Sequence, residues 1–181
     1  MNRFAPALAA LSLATLVPAQ VQAQAPAGCL TEAELAEVIV YATPAIVTGV
    51  RGKCAKTLAP HGFLASKGDG FAAKYAALQS ASWPVAKGAL VRMLGANAGT
   101  SSSGKQMLAM VSSFPDDTVR PLVDGLVAQK IGETVSLGDC PKAERAMQLA
   151  SVMAPRDNAA LMAFVLASTG SKDVPVCKPK A

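Results

Sequence analysis

Apolar residues along this chain recur at helical spacing, and strand-like alternation is scarce. Leu35, Val38, Ile39 and Ala42 fall three and four positions apart, as the buried stripe of a helix requires. Thr31 and Glu34 precede them in the arrangement of a capping box, in which side chain and backbone satisfy each other's free N–H groups. Pro44 suits the first turn of a following helix, where its missing N–H costs nothing. The pattern therefore predicts helices over 31–42 and 44–58, and two helices joined by so short a link run antiparallel. The same form recurs at 71–81 with 84–94, where Trp83 marks the junction. It recurs again at 104–114 with 121–131, across Pro115-Asp116-Asp117-Thr118, and at 141–153 with 155–168, which Gly170 ends. Loops are expected at Pro60 to Gly70, at Asn97 to Ser103 and at Gly132 to Gly138, the last with a brief extension at Thr134-Val135-Ser136. The expected fold is all-α: about eight helices as four antiparallel helical hairpins, stacked as a short helical array or gathered into a compact bundle.

Pro44, Pro84, Pro121 and Pro155 open the second helix of each expected pair, at intervals in the range of helical repeats. Pro84-Val-Ala-Lys-Gly88-Ala-Leu-Val matches Pro121-Leu-Val-Asp-Gly125-Leu-Val-Ala in residue type. Within residues 114–131, Asp117-Thr118-Val119-Arg120 is followed by Val123 and Leu126 at helical steps. This stretch resembles the second helix of a HEAT repeat. The resemblance implies a stacked helical array with a partner-binding face and no catalytic residues.

Composition adds a compartment. Of 181 residues, 51% are hydrophobic but only 4% aromatic, so the helices must pack through small side chains. Arg3 followed by the apolar run Ala5 to Val17, then Pro18, resembles a secretory leader, too short to span a bilayer. Val21-Gln22-Ala23 offers the small residues of a cleavage site, whereas cleavage after Ala25 would place Pro26 beside the scissile bond. The expected division is a signal peptide at 1–23 and a single helical domain at 24–181, with no transmembrane segment once the leader is removed. Gly28-Cys29 also resembles the end of a lipoprotein box, which implies acylation of Cys29 and a lipid-anchored structural protein. Against it, Pro26 stands where that box carries leucine, and acylation would leave an odd number of thiols.

Cys29, Cys54, Cys140 and Cys177 contain no Cys-x-x-Cys pair. An even count in an exported chain points to structural disulfides rather than to a metal or redox site. Local pairing, Cys29 with Cys54 and Cys140 with Cys177, would staple the first and last hairpins. Those are the repeats that have only one neighbour to pack against. Each staple would contribute roughly 3–4 kcal/mol in the chain-entropy model.

Little in the sequence carries catalytic chemistry. Gly99-Thr-Ser-Ser-Ser-Gly104-Lys105-Gln106 falls short of a phosphate-binding P-loop, because Gln106 replaces the magnesium-holding hydroxyl. Ser102-Ser-Gly-Lys105 fits Ser-x-x-Lys, but its partner motifs reduce to a partial echo in Arg156-Asp157-Asn158. His61 is the one histidine and lies between Pro60 and Gly62. Glu32, Glu34 and Glu37 at the start of the first helix, and Arg51, Lys53 and Lys56 at the end of the second, suit the helix dipoles. An antiparallel hairpin would bring the two groups face to face. Asp116 and Asp117 read as turn residues. Met107, Met110, Met147, Met153 and Met162 read as core filler, or as the lining of a groove for apolar or peptide ligands.

The net charge of +5 and a pI near 9.2, with a basic cluster at Lys172, Lys178 and Lys180, favour acidic partners. The basic residues are too dispersed, and aromatics too few, for nucleic-acid binding. The reading assigns no catalytic, cofactor or metal-binding residue; the four cysteines are its only site residues. The expected function is an exported, non-catalytic helical binding protein of a bacterial cell envelope, periplasmic or secreted, whose partner is a protein, a peptide or an anionic envelope component. The alternatives are a small envelope hydrolase using His61 or a pair of distant carboxylates, and the lipid-anchored protein described above.

Overall fold

The computed structural model describes residues 28–97, 102–170 and 175–177, so the expected leader lies outside the described residues. The chain is all-α. Seven α-helices are present among the described residues: α1 Glu32–Cys54, α2 Phe63–Ser66, α3 Gly68–Asn97, α4 Ser102–Ser113, α5 Asp116–Thr134, α6 Cys140–Ala150 and α7 Pro155–Thr169. A 3-10 turn at Leu137–Asp139 leads into α6, and the extended pairing is one isolated bridge between Leu30 and Val176.

The local signals at helix ends hold. Thr31 caps α1: its hydroxyl accepts from the Glu34 amide at 3.2 Å, and the Glu34 carboxylate accepts from the Thr31 amide at 2.9 Å. Pro155 opens α7, and Gly170 closes it in the left-handed conformation at φ 67°. Of the extension expected at Thr134-Val135-Ser136, Val135 and Ser136 are extended, whereas Thr134 is the last residue of α5.

The hairpins expected at Pro44 and Pro84 are absent. α1 runs unbroken through Pro44, α3 through Pro84 and α5 through Pro121. A proline inside a helix removes one hydrogen bond and strands the carbonyls before it, at a cost of ~3 kcal/mol. At Pro44 the Val40 carbonyl loses its helical donor. Next to it the turn is tied from the side: the Gln79 side-chain amide of α3 donates to the Tyr41 carbonyl at 3.0 Å, and the Thr43 hydroxyl donates to the Ile39 carbonyl at 2.6 Å. Packing supplies the rest, because Leu35, Ile39, Val40, Tyr41, Ala45, Val47, Val50 and Cys54 are all buried. Tertiary burial thus overrides a local stop signal.

α1 is the axis of a bundle: α3, α5 and α7 pack against it, while α4 packs on α3 and α6 on α2. α3 is antiparallel to α1. Arg51 pairs with Asp69 at one end, and Arg92 with Glu34 at 2.5 Å at the other. α5 is parallel to α1, since Tyr41 meets Arg120 and, further along, Gly49 meets Ala128. The approach at Gly49 is so close that a β-carbon there would collide with the Ala128 carbonyl. α6 is tied to α2 by Glu144, whose carboxylate accepts from the Leu64 amide at 2.9 Å in the first turn of α2.

The disulfides join Cys29 to Cys177 and Cys54 to Cys140, correcting both expected pairings. The continuous α1 explains why. Its 23 residues span roughly 35 Å at 1.5 Å each, far beyond the ~7 Å that a disulfide can bridge between α-carbons. Cys29 instead lies beside the returning C-terminal segment, where the Leu30 amide donates to the Pro175 carbonyl and the Cys177 amide to the Leu30 carbonyl, both at 2.8 Å. The loops closed are 148 and 86 residues apart in sequence, so each bond is worth roughly 4–5 kcal/mol in the chain-entropy model. The two bonds link the terminal regions and the far end of α1.

Two apolar clusters result. The larger contains Leu30, Leu35, Ile39, Val40, Val47, Val50, Leu64, Phe71, Tyr75, Ala159 and Ala163, together with Cys54 and Cys140. The smaller contains Tyr41, Trp83, Ala86, Val111 and Val119, at the corner where α3, α4 and α5 meet beside α1.

Candidate functional site: an apolar groove at the α3–α4–α5 corner

Three helices shape the corner. Val111 of α4 and Val119 of α5 are fully buried in the smaller cluster and hold those helices against α3. Pro115 caps α5, and its carbonyl accepts from the Thr118 and Val119 amides at 3.1 Å. Beyond Val119, the residues Val123, Leu126, Val127 and Lys130 repeat at three- and four-residue steps, so they share one face of α5. With Leu90 and Leu94 of α3 and Met107 of α4, that face lines an open cavity of about 250 Å³. Its walls are apolar except for Lys130, which is exposed. The Lys130 side chain makes no ion pair or hydrogen bond among the described residues.

A polar cluster joins α5 to α1 and α3 behind the groove. The Trp83 ring lies 4.9 Å from that of Tyr41, and the Arg120 guanidinium sits 5.6 Å over it. Arg120 also donates to Ser80 at 3.3 Å, and Lys87 pairs with Asp116 at 2.7 Å. Lys87 and the Trp83 indole hold the Asp116 carboxyl below its ordinary range. Burial pushes the Asp124 carboxyl up, against the opposing pull of the Tyr41 hydroxyl and Arg120. Burial and then the neighbouring Asp124 push the Tyr41 hydroxyl up as well, so it stays neutral in water. Among the described residues, Arg92 Nε and Asp124 Oδ1 are buried without a hydrogen-bond partner, and the Trp83 Nε1–H, close to Asp116, falls short of hydrogen-bond geometry.

The other residues singled out in the sequence serve packing or lie apart. His61 is exposed in the link between α1 and α2 and forms no side-chain hydrogen bond among the described residues. Ser102 to Lys105 form the first turn of α4; Gly99 to Ser101 fall outside the described residues, and what precedes them is a helix, not the strand a P-loop needs. In Arg156-Asp157-Asn158, Arg156 pairs with Glu37, and Asn158 is buried, donating to the Tyr75 hydroxyl at 2.8 Å. The acidic and basic groups expected to face each other sit at opposite ends of α1 and find partners elsewhere. Glu34 meets Arg92, Glu37 meets Arg156 and Ser82, and Arg51 meets Asp69. Met107 lines the groove, Met147 packs on the larger core and Met162 is exposed. Lys172, Lys178 and Lys180 lie outside the described residues.

Cys29 Sγ is engaged with Cys177, which leaves no thiol there for acylation. Two intramolecular disulfides suit an oxidising, extracellular or periplasmic compartment. No group of three metal-ligating side chains occurs among the described residues. α1 is long and apolar enough to cross a bilayer, which the sequence reading had not recognised; its apolar side chains form the centre of the bundle. A second apolar surface, Leu161, Phe164 and Val165 on α7, is about half exposed.

The groove was the feature that periodicity came closest to marking. The stripe from Val123 to Lys130 is legible, but the four-hairpin scheme paired α5 with α4 instead of laying it along α1. Compared with known proteins, the chain matches no family model, no curated protein and no solved structure.

Proposed function

We propose that this is an exported, non-catalytic binding protein of the cell envelope, released into the periplasm or medium after cleavage near Ala23, and that its ligand-holding element is the groove at the α3–α4–α5 corner. The observation that carries this reading is the groove itself: an apolar cleft of about 250 Å³ to which three helices contribute side chains. Leader, disulfides and basic charge agree with it. Of the partners that the charge favours, an apolar or amphiphilic envelope component fits this cleft better than nucleic acid, because no aromatic residue lines it.

A fluorescence titration with N-phenyl-1-naphthylamine, which brightens in apolar surroundings, tests the assignment. The mature protein should bind it saturably. Leu126→Asp, at a groove residue 43% exposed, should abolish binding with helicity and Tm unchanged. Undiminished binding by that variant would remove the groove from the proposal.

A further inference from the structure

The volume of the groove and the charge at its edge narrow the ligand. At about 250 Å³ the open cavity falls below the roughly 300–1,000 Å³ of sites that enclose bulky ligands, so it suits one slender chain. A docked helix would instead present several anchors at i, i+3, i+4 and i+7, each needing its own depression. The lining from Leu90 to Val127 offers nothing to a polar group.

The exception is Lys130. It is a lining residue and it is exposed, the setting in which long cationic side chains lay their stem on apolar surface and keep the charge in water. The nearest acidic residue along α5, Glu133, accepts a hydrogen bond from Gln129 at 2.9 Å. Asp124 faces Tyr41 on the other side of the helix. The cation at the mouth is therefore without a partner among the described residues, on a chain that is itself positive. Resting on the groove assignment above, we infer that the ligand is a single-chain anionic amphiphile, its alkyl chain along Leu90, Leu94, Met107 and Leu126 and its head group on Lys130. One lysine matches the single charge of a carboxylate, so the occupant is a free fatty acid, and a monoacyl phospholipid is an outcome of the test.

Displacement of N-phenyl-1-naphthylamine from the disulfide-intact protein separates the cases. The competitors are decanoate, decanoyl lysophosphatidate, 1-decanol and decyltrimethylammonium, each below its micelle concentration. Both anions should displace the probe at about three- to fivefold lower concentration than the cation, the size expected of an exposed charge pair. Added salt should erase that preference. Lys130→Gln should level it and Lys130→Glu invert it, with 1-decanol unaffected by either. A stronger effect of decanoate would identify a fatty acid, and of the lysophosphatidate a lipid head group. Equal displacement by all four compounds would overturn the anionic ligand while leaving the groove standing. Failure of all four to displace the probe would overturn the inference, and probe binding that survives Leu126→Asp would overturn the groove with it.

Discussion

Two sides of α1 differ. On one, the larger cluster runs from Leu30 to Cys54 with a disulfide at each end of the helix, Cys29–Cys177 before it and Cys54–Cys140 at its last residue, and its polar groups find partners: Asn158 with Tyr75, Glu144 with the first turn of α2, Arg51 with Asp69. At the α3–α4–α5 corner no covalent tie is present among the described residues. The cluster is small, Asp124 Oδ1 is buried without a partner, and apolar side chains line open space. Conformational constraint is concentrated where nothing is bound, and the candidate site occupies the less constrained part. Binding elements are commonly drawn from the low-stability end of a fold, because a site that must admit a ligand needs neighbours that can give way.

The comparison can be broken most severely by cutting the clasp. Replacing Cys54 and Cys140 together with Ala should cost about 4 kcal/mol, seen as a large fall in Tm, and the chain-entropy origin of the loss means the helices themselves should survive. Peptide mapping without reduction should find Cys29 joined to Cys177. Gly49→Ala comes next. Its β-carbon would meet the backbone of α5, so the two rods must separate, at about 2–3 kcal/mol. Because α5 carries half of the groove lining, naphthylamine binding should weaken along with chemical stability.

Smaller effects distinguish the halves by pH. Glu34 is held below its ordinary value because Thr31 and Arg92 outweigh the opposing effect of burial. Its contribution is therefore present above the unfolded value of 4.5 and lost as pH falls through the folded one. Glu34→Gln keeps an acceptor for the Thr31 amide, so it should cost about 0.5 kcal/mol at pH 7, from the Arg92 pair and the helix dipole, and less in acid. Asp124 behaves oppositely. Its folded value is raised, so the favourable, protonated state is complete below the unfolded value of 3.8 and is lost as pH rises. Asp124→Asn should raise Tm slightly at pH 7, and the gain should vanish towards pH 3.8. A loss of stability at pH 7 would mean that the corner needs the charge.

What could be read from the chain was whatever is decided within a few residues. The Thr31–Glu34 box, the glycine stop at Gly170, the proline start at Pro155 and the all-α class are of this kind. Pro44, Pro84 and Pro121 open no helix because a proline's local preference for a helix start competes with burial, and at Pro44 the side-chain amide of Gln79, 38 residues beyond Tyr41, ties the Tyr41 carbonyl of the same turn to α3. One misreading propagated: once α1 was folded back on itself, Cys29 and Cys54 had to be neighbours. The HEAT-like stretch shows the same limit. Arg120 serves a Trp83 contact within one bundle, a use that a repeat motif does not foretell. The groove depends on α5 lying parallel to α1, a relation fixed by Gly49 and Ala128 across 79 positions of chain between them.

Native-state hydrogen exchange on the mature protein, with and without decanoate, bears most directly on the contrast between a clasped core and an unclasped corner. The amides of α4 and of the groove-lining turns of α5 should exchange through openings that cost less than those exposing α1 around Val47 and Val50. Decanoate should slow the former and leave the latter unchanged. If α4 and α1 exchange together, only through global unfolding, and decanoate protects neither selectively, the corner is not a distinct, ligand-receptive part of the fold.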